Sequence, residues 1–277
     1  MSKGAPVQGY YDIDAENWST LKAMRRSPLH YRHARTHERP DTDTFRRGRL
    51  VHTLVLEPQR FELDYVVWDG KVRRGKVWDT FKLDADSRGL TVVTPAQVAK
   101  ARAMAAAVAR IWTPDAQREL SITWTDEATG LRCKARIDSL NPVAITELKT
   151  CADVDAEKFA RTMHNLGYHG QLAHYRNGAR SITGRTAVAQ IVAVEAEEPH
   201  DAAMFLVSED AMNAGEDMVA ECLARVRACR ERGVWPGRYV EPVSLELPRW
   251  AREDEDVTGL GIDFDAPADA DEEDDAA

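Results

Sequence analysis

Between Leu120 and Leu148 apolar residues recur at every second position, a period that commits this part of the chain to a sheet. Leu120, Ile122 and Trp124 alternate with polar residues, as do Cys133, Ala135 and Ile137, and Val143 to Leu148 makes a third run. Thr129-Gly130 and Asn141-Pro142 separate the runs and supply turn chemistry, so the three read as a β-meander. The flanking sequence has a helical period. Phe45, Leu50, Val51, Leu54 and Val55 share a helix face from Asp43 to Leu56, and Pro58 ends that run. Ser19 reads as an N-cap, Ser27-Pro28 opens a further helical turn, and alanine-rich Pro95 to Ile111 is helical. Leu63 to Trp68 and Leu90 to Val93 read as short strands.

After the meander, Ala156 to Met163 and Tyr168 to Gly178 read as helices, and Val188 to Glu195 and Ala203 to Val207 as strands. A helix from Glu209 to Arg232 closes the body. This order predicts an α/β fold with a mixed central sheet flanked by helices.

The net charge of −9 argues against a nucleic-acid partner until it is divided along the chain. Glu253 to Ala277 holds 12 acidic residues and neither Lys nor Arg; the remaining 34 of 46 acids face all 37 basic residues. A slightly basic domain over residues 1–252 and an acidic, disordered tail over 253–277 are therefore expected. The tail either adds solubility or engages a basic groove or a partner by charge. No run approaches the roughly 18 apolar residues that cross a bilayer, and the start lacks the pattern of a secretory signal. A cytoplasmic protein without membrane attachment is expected. Cys133, Cys151, Cys222 and Cys229 contain no C-x-x-C pair, which excludes the usual thiolate metal centres. Cys222 and Cys229 fall on one helix face and read as core.

The chemistry concentrates in Arg136-Ile-Asp138 and Ile145-Thr-Glu147-Leu-Lys149. On a strand, Glu147 and Lys149 share a face and Leu148 takes the other. The Asn141-Pro142 turn brings Asp138 beside Glu147. Two carboxylates and an ammonium at one place suit Mg2+ or Mn2+ and a phosphate substrate. The polar face of a solvated strand would use the same residues. Gly48 and His52 lie four apart on one helix face, which suits either a helix contact with a half-buried histidine or a metal ligand. Glu119 opens the meander as a further carboxylate. Gln171 and Tyr175 lie one helical turn apart.

In this order, G-x-x-x-H, Glu, Asp, E-x-K and Q-x-x-x-Y resemble the motif series of PD-(D/E)XK nucleases. The series is similar to that of the RecE-like (exonuclease VIII type) phage and prophage exonucleases, relatives of the RecB and AddB nuclease domains and lambda exonuclease. Trp18-Ser-Thr-Leu-Lys22, Ser27-Pro-Leu-His-Tyr31, Glu119 to Trp124, Cys133 to Asp138 and Gly167 to Gln171 carry that likeness, which spans about Tyr10 to Trp235.

The resemblance implies a restriction-endonuclease-like fold and a Mg2+-dependent exodeoxyribonuclease on ends of linear double-stranded DNA, with Mn2+ able to substitute. It implies 5′→3′ degradation that leaves 3′ overhangs, a homo-oligomeric ring and a RecT-like annealing partner. His52, Glu119, Asp138 and Glu147 would be metal ligands, helped by the Leu148 carbonyl. Lys149 would be the catalytic lysine, and Gln171 and Tyr175 would contact DNA. Two departures are minor: Ile137 replaces the usual proline, and Glu147 stands where many relatives have Asp.

Other features have competing readings. Gly70 to Lys76 nearly spells a phosphate-binding loop, but Val77 replaces its final Ser/Thr, which leaves a basic DNA-facing or solvated loop. Arg25, Arg26 and Arg32 suit a 5′-phosphate or a solvated helix face. A repair or CRISPR-associated RecB-like nuclease and a non-catalytic DNA-binding module are the alternatives to the exonuclease.

Overall fold

A computed structural model of the chain describes residues 9–37, 40–114 and 117–248. The described residues up to Arg238 form one compact unit, and residues 239–248 hold no helix or strand. The expected tail over 253–277 lies outside the described residues.

A 3-10 turn, Tyr10–Asp12, precedes α1 (Trp18–Leu21), α2 (Pro28–Thr36), α3 (Asp43–Leu56) and α4 (Phe61–Asp64). Then follow β1 (Tyr65–Val67), α5 (Lys76–Ser87), β2 (Thr91–Val93) and α6 (Pro95–Ala109). The meander is β3 (Gln117–Thr125), β4 (Arg132–Leu140) and β5 (Ala144–Cys151). It leads into α7 (Ala156–Leu166), α8 (Tyr168–Thr183), β6 (Val188–Glu195), β7 (Ala202–Leu206) and α9 (Glu209–Arg232).

Local chemistry sets most of these boundaries. The Ser27 side chain caps α2 ahead of Pro28, Thr42 caps α3, and Thr94 with Gln97 forms a reciprocal capping box on α6. Two expectations shift. Asn17, not Ser19, caps α1 by accepting the Thr20 N–H at 3.1 Å; Asn17 offers the same capping oxygen two residues earlier. The strand expected over 63–68 shortens to Tyr65–Val67 because Phe61–Asp64 is helical. There Arg60 reaches Asp64 with a charged pair one turn apart at 2.8 Å.

The main sheet runs in the order β3-β4-β5-β6-β7. The β5–β6 pair is parallel and the others antiparallel. It is therefore mixed, and α7 and α8 make the crossover that a parallel pair requires. Both faces are covered. One packs on α1, α8 and α9 through Trp18, Ile137, Ile145, Leu172, Leu223 and Val226. The other packs on α3 and α6 through Leu50, Val51, Met104, Leu148 and Val192. Double burial explains why β6 reads as a nearly continuous apolar run rather than a clean alternation. The last helix lies close to α8 because Gly215 does not intrude: a Cβ there would stand 2.5 Å from the His169 carbonyl oxygen.

The four cysteines are free thiols, with Cys222 and Cys229 buried as expected. No helix among the described residues is long and apolar enough to cross a membrane.

Candidate metal and catalytic site

Two irregularities in the sheet build the site. The β4–β5 register pairs Ser139 with Thr146 and Leu140 with Ile145, then stops. The strands part where Asp138 would face Glu147. The Asp138 carboxylate occupies the opening, accepting the Leu148 N–H on Oδ2 at 2.8 Å. Strand β3 supplies the second irregularity. Glu119 lies between the Arg118–Ser139 and Leu120–Ile137 pairs, across from Asp138, and its φ is +48°. Left-handed backbone costs a glutamate roughly 1–2 kcal/mol, so the surroundings must hold it there.

Helix α3 brings His52 to the same opening. Its Nδ1 lies 3.6 Å from Asp138 Oδ2. One donor atom each from His52, Glu119 and Asp138 lies within 4.8 Å of the others. This is a mixed nitrogen and carboxylate set of the kind that holds a divalent cation.

Glu147 and Lys149 share a face of β5, as their spacing predicts, and meet Gln171 from α8. Lys149 Nζ donates to Glu147 Oε1 at 2.7 Å and to Gln171 Oε1 at 3.1 Å. Gln171 Nε2 in turn donates to Glu147 Oε1 at 2.5 Å and to the Tyr175 hydroxyl at 3.0 Å. The Tyr168 ring lies 4.8 Å from the ammonium. Glu147 Oε2 is buried and has no hydrogen-bond partner among the described residues.

The electrostatics follow from burial. Desolvation first, and Glu119 beyond it, push the Asp138 carboxyl up to about 7 against the pull of Lys149. Desolvation and Asp138 push Glu147 up to about 7 as well. Burial also raises Glu119, although Arg136 and His52 oppose it. Burial and the Lys149 charge lower His52, leaving a neutral imidazole able to ligate. Burial pulls the Lys149 ammonium down, but Glu147 and Asp138 outweigh it and raise it above the ordinary lysine value. Three crowded carboxylates with raised pKa values, one with an orphaned oxygen, are short of positive charge. A dication fits that deficit.

The structure thus brings together His52, Glu119, Asp138, Glu147, Lys149, Gln171 and Tyr175. Arg25 and Arg26 are exposed, and among the described residues no hydrogen bond or ion pair joins them to these seven. Three further residues line the site. Arg136 pairs with Glu119 at 2.7 Å, Tyr168 lies by Lys149, and Tyr10 packs on Lys134 and Arg136. Arg136 was visible in principle as the residue two before Asp138. Tyr10 arrives through a distant turn of chain that no local pattern announces. The loop from Gly70 to Lys76 is exposed and leads into α5, with Arg73 over the Trp78 ring. A cavity of about 410 Å³ at the Asn141-Pro142 turn contains none of the seven residues.

The family described as "PDDEXK-like domain of unknown function (DUF3799)" matches residues 17–243. The fold is similar to the crystal structure of a protein described as "Putative exonuclease" from Eubacterium rectale, with a TM-score of 0.61 at 17% identity. That alignment covers 92% of this chain and 100% of the other, and at such identity the likeness is one of fold. No curated protein matches the chain.

Proposed function

The chain belongs to the DUF3799 family of PDDEXK-like domains, and from that premise we propose that it is a metal-dependent exodeoxyribonuclease acting on ends of linear duplex DNA. The observation that carries the reading is the convergence of His52, Glu119 and Asp138 within 4.8 Å, beside the Glu147–Lys149–Gln171 network.

A Mg2+ ion, or Mn2+ in its place, held by His52, Glu119, Asp138 and Glu147 would neutralise phosphate charge and acidify a water. The chain's own groups prepare that chemistry. The Leu148 N–H holds Asp138 in place, and neutral His52 keeps a nitrogen lone pair available. Lys149 retains its proton and is aimed by Glu147 and Gln171, so it can donate to a non-bridging phosphate oxygen or orient the attacking water. Tyr175 fixes Gln171, and the pair faces the strand being cut.

The finer features are part of the proposal and come from the motif resemblance. They are 5′→3′ digestion that leaves 3′ overhangs, a homo-oligomeric ring, use of the overhang by a strand-annealing protein, and Arg25 and Arg26 at the 5′ end. Duplexes labelled separately at each end test polarity. Early release of the 5′ label with retention of the 3′ label is expected; the reverse order would overturn the 5′→3′ reading.

A further inference from the structure

We propose that Arg136 is a phosphate-binding residue for the DNA strand at the active site, a role that rests on the nuclease reading above. A polyanion approaching Glu119, Asp138 and Glu147 meets three carboxylates, so the site needs an accessible cation besides any metal. Lys149 has little to spare: its ammonium already donates to Glu147 and Gln171, which leaves one N–H, and its side chain is only 14% exposed. Arg136 is placed differently. It stands two residues before Asp138 on β4, and its side chain is 42% exposed.

Its guanidinium forms an ion pair with Glu119 through Nε, which lies 2.7 Å from Oε2. The guanidinium is also held in place. Its Cζ lies 5.9 Å from the centroid of Tyr10 and 5.7 Å from that of Tyr11, and the two rings meet edge to face. Lys134 fastens this 3-10 turn to the sheet by donating to the Tyr10 and Ile13 carbonyls at 2.9 and 2.8 Å. A planar cation, anchored at one end, set over two rings and 42% exposed, offers the fork geometry that phosphate recognition requires. Tyr11 is 79% exposed beside it.

The competing account is that Arg136 only positions Glu119 for the metal. Binding of duplex DNA in EDTA separates the two, because no metal contributes there. Fluorescence anisotropy of a labelled duplex is measured against salt for wild type, Arg136→Gln, Arg136→Lys and Glu119→Gln, with thermal melts to confirm folding. Phosphate binding predicts about tenfold weaker binding for Arg136→Gln and a log K against log salt slope shallower by about 0.9. Arg136→Lys should keep the slope, and Glu119→Gln should not weaken binding. A folded Arg136→Gln with wild-type affinity and slope, alongside altered Mn2+ affinity by calorimetry, would overturn the proposal in favour of positioning. A wild type that binds no DNA end under any condition would instead overturn the nuclease reading itself.

Discussion

Replacing Glu147 with Gln should stabilise the metal-free protein while removing its ability to use a metal. Glu147 is buried, shares its site with Asp138 and leaves Oε2 without a partner. Folding therefore favours its protonated form and raises its pKa from 4.5 to about 7. The sign follows from proton linkage. Below pH 4.5 the group is protonated in both folded and unfolded chains, and its contribution to stability is fully present. As pH rises through about 7 that contribution is lost, because the folded state must carry a buried anion.

At about 1.4 kcal/mol per pKa unit, the shift sets a ceiling of about 3 kcal/mol. Asp138 shares the strain, which leaves roughly 1–2 kcal/mol for one substitution, or about 2–8 °C in Tm. The amide retains an oxygen for Lys149 and Gln171. Thermal melts in EDTA at pH 8 and pH 5 make the comparison. Glu147→Gln should melt above wild type at pH 8 and close to it at pH 5, and Mn2+ should raise only the wild-type Tm. Equal melting at pH 8, or a larger gain at pH 5, would refute the reasoning.

His52→Ala should weaken Mn2+ binding at least about tenfold in calorimetry, with little change in Tm. Gly215→Ala should lower stability by about 2 kcal/mol in denaturant melts, since its Cβ meets the rigid His169 carbonyl. His174 is fully buried, and desolvation lowers its pKa from 6.5 to about 4. Its contribution is present above pH 6.5 and is lost as pH falls toward 4, a loss of up to about 3 kcal/mol; His174→Gln should flatten that acid limb.

What could be read in advance divides by the range of the interactions involved. Helices α3 and α9 and strand β6 have the expected ends, because caps, prolines and alternation act within a few residues. Asn17 displaced Ser19 because two neighbouring side chains offer the same capping oxygen. The shared face of Glu147 and Lys149 was legible from a period of two. The opening between β4 and β5 was not. It depends on where a ladder stops, and it decides that Asp138 caps Leu148 while Glu147 turns to Lys149 and Gln171. Nor does any pattern announce the left-handed backbone of Glu119, which a non-glycine residue adopts only under tertiary constraint. Tyr10 reaches the site through contacts between separate elements, to which periodicity is blind, whereas Tyr168 lies on the same face of α8 as Gln171 and Tyr175.

The central claim meets its most direct test in one digestion. Wild type and Lys149→Ala are incubated with linear duplex DNA in Mg2+ and in EDTA, and released nucleotide is measured. The account predicts release by wild type in Mg2+ alone and at least about 100-fold less by Lys149→Ala. Equal release by both proteins, or release that persists in EDTA, would contradict it.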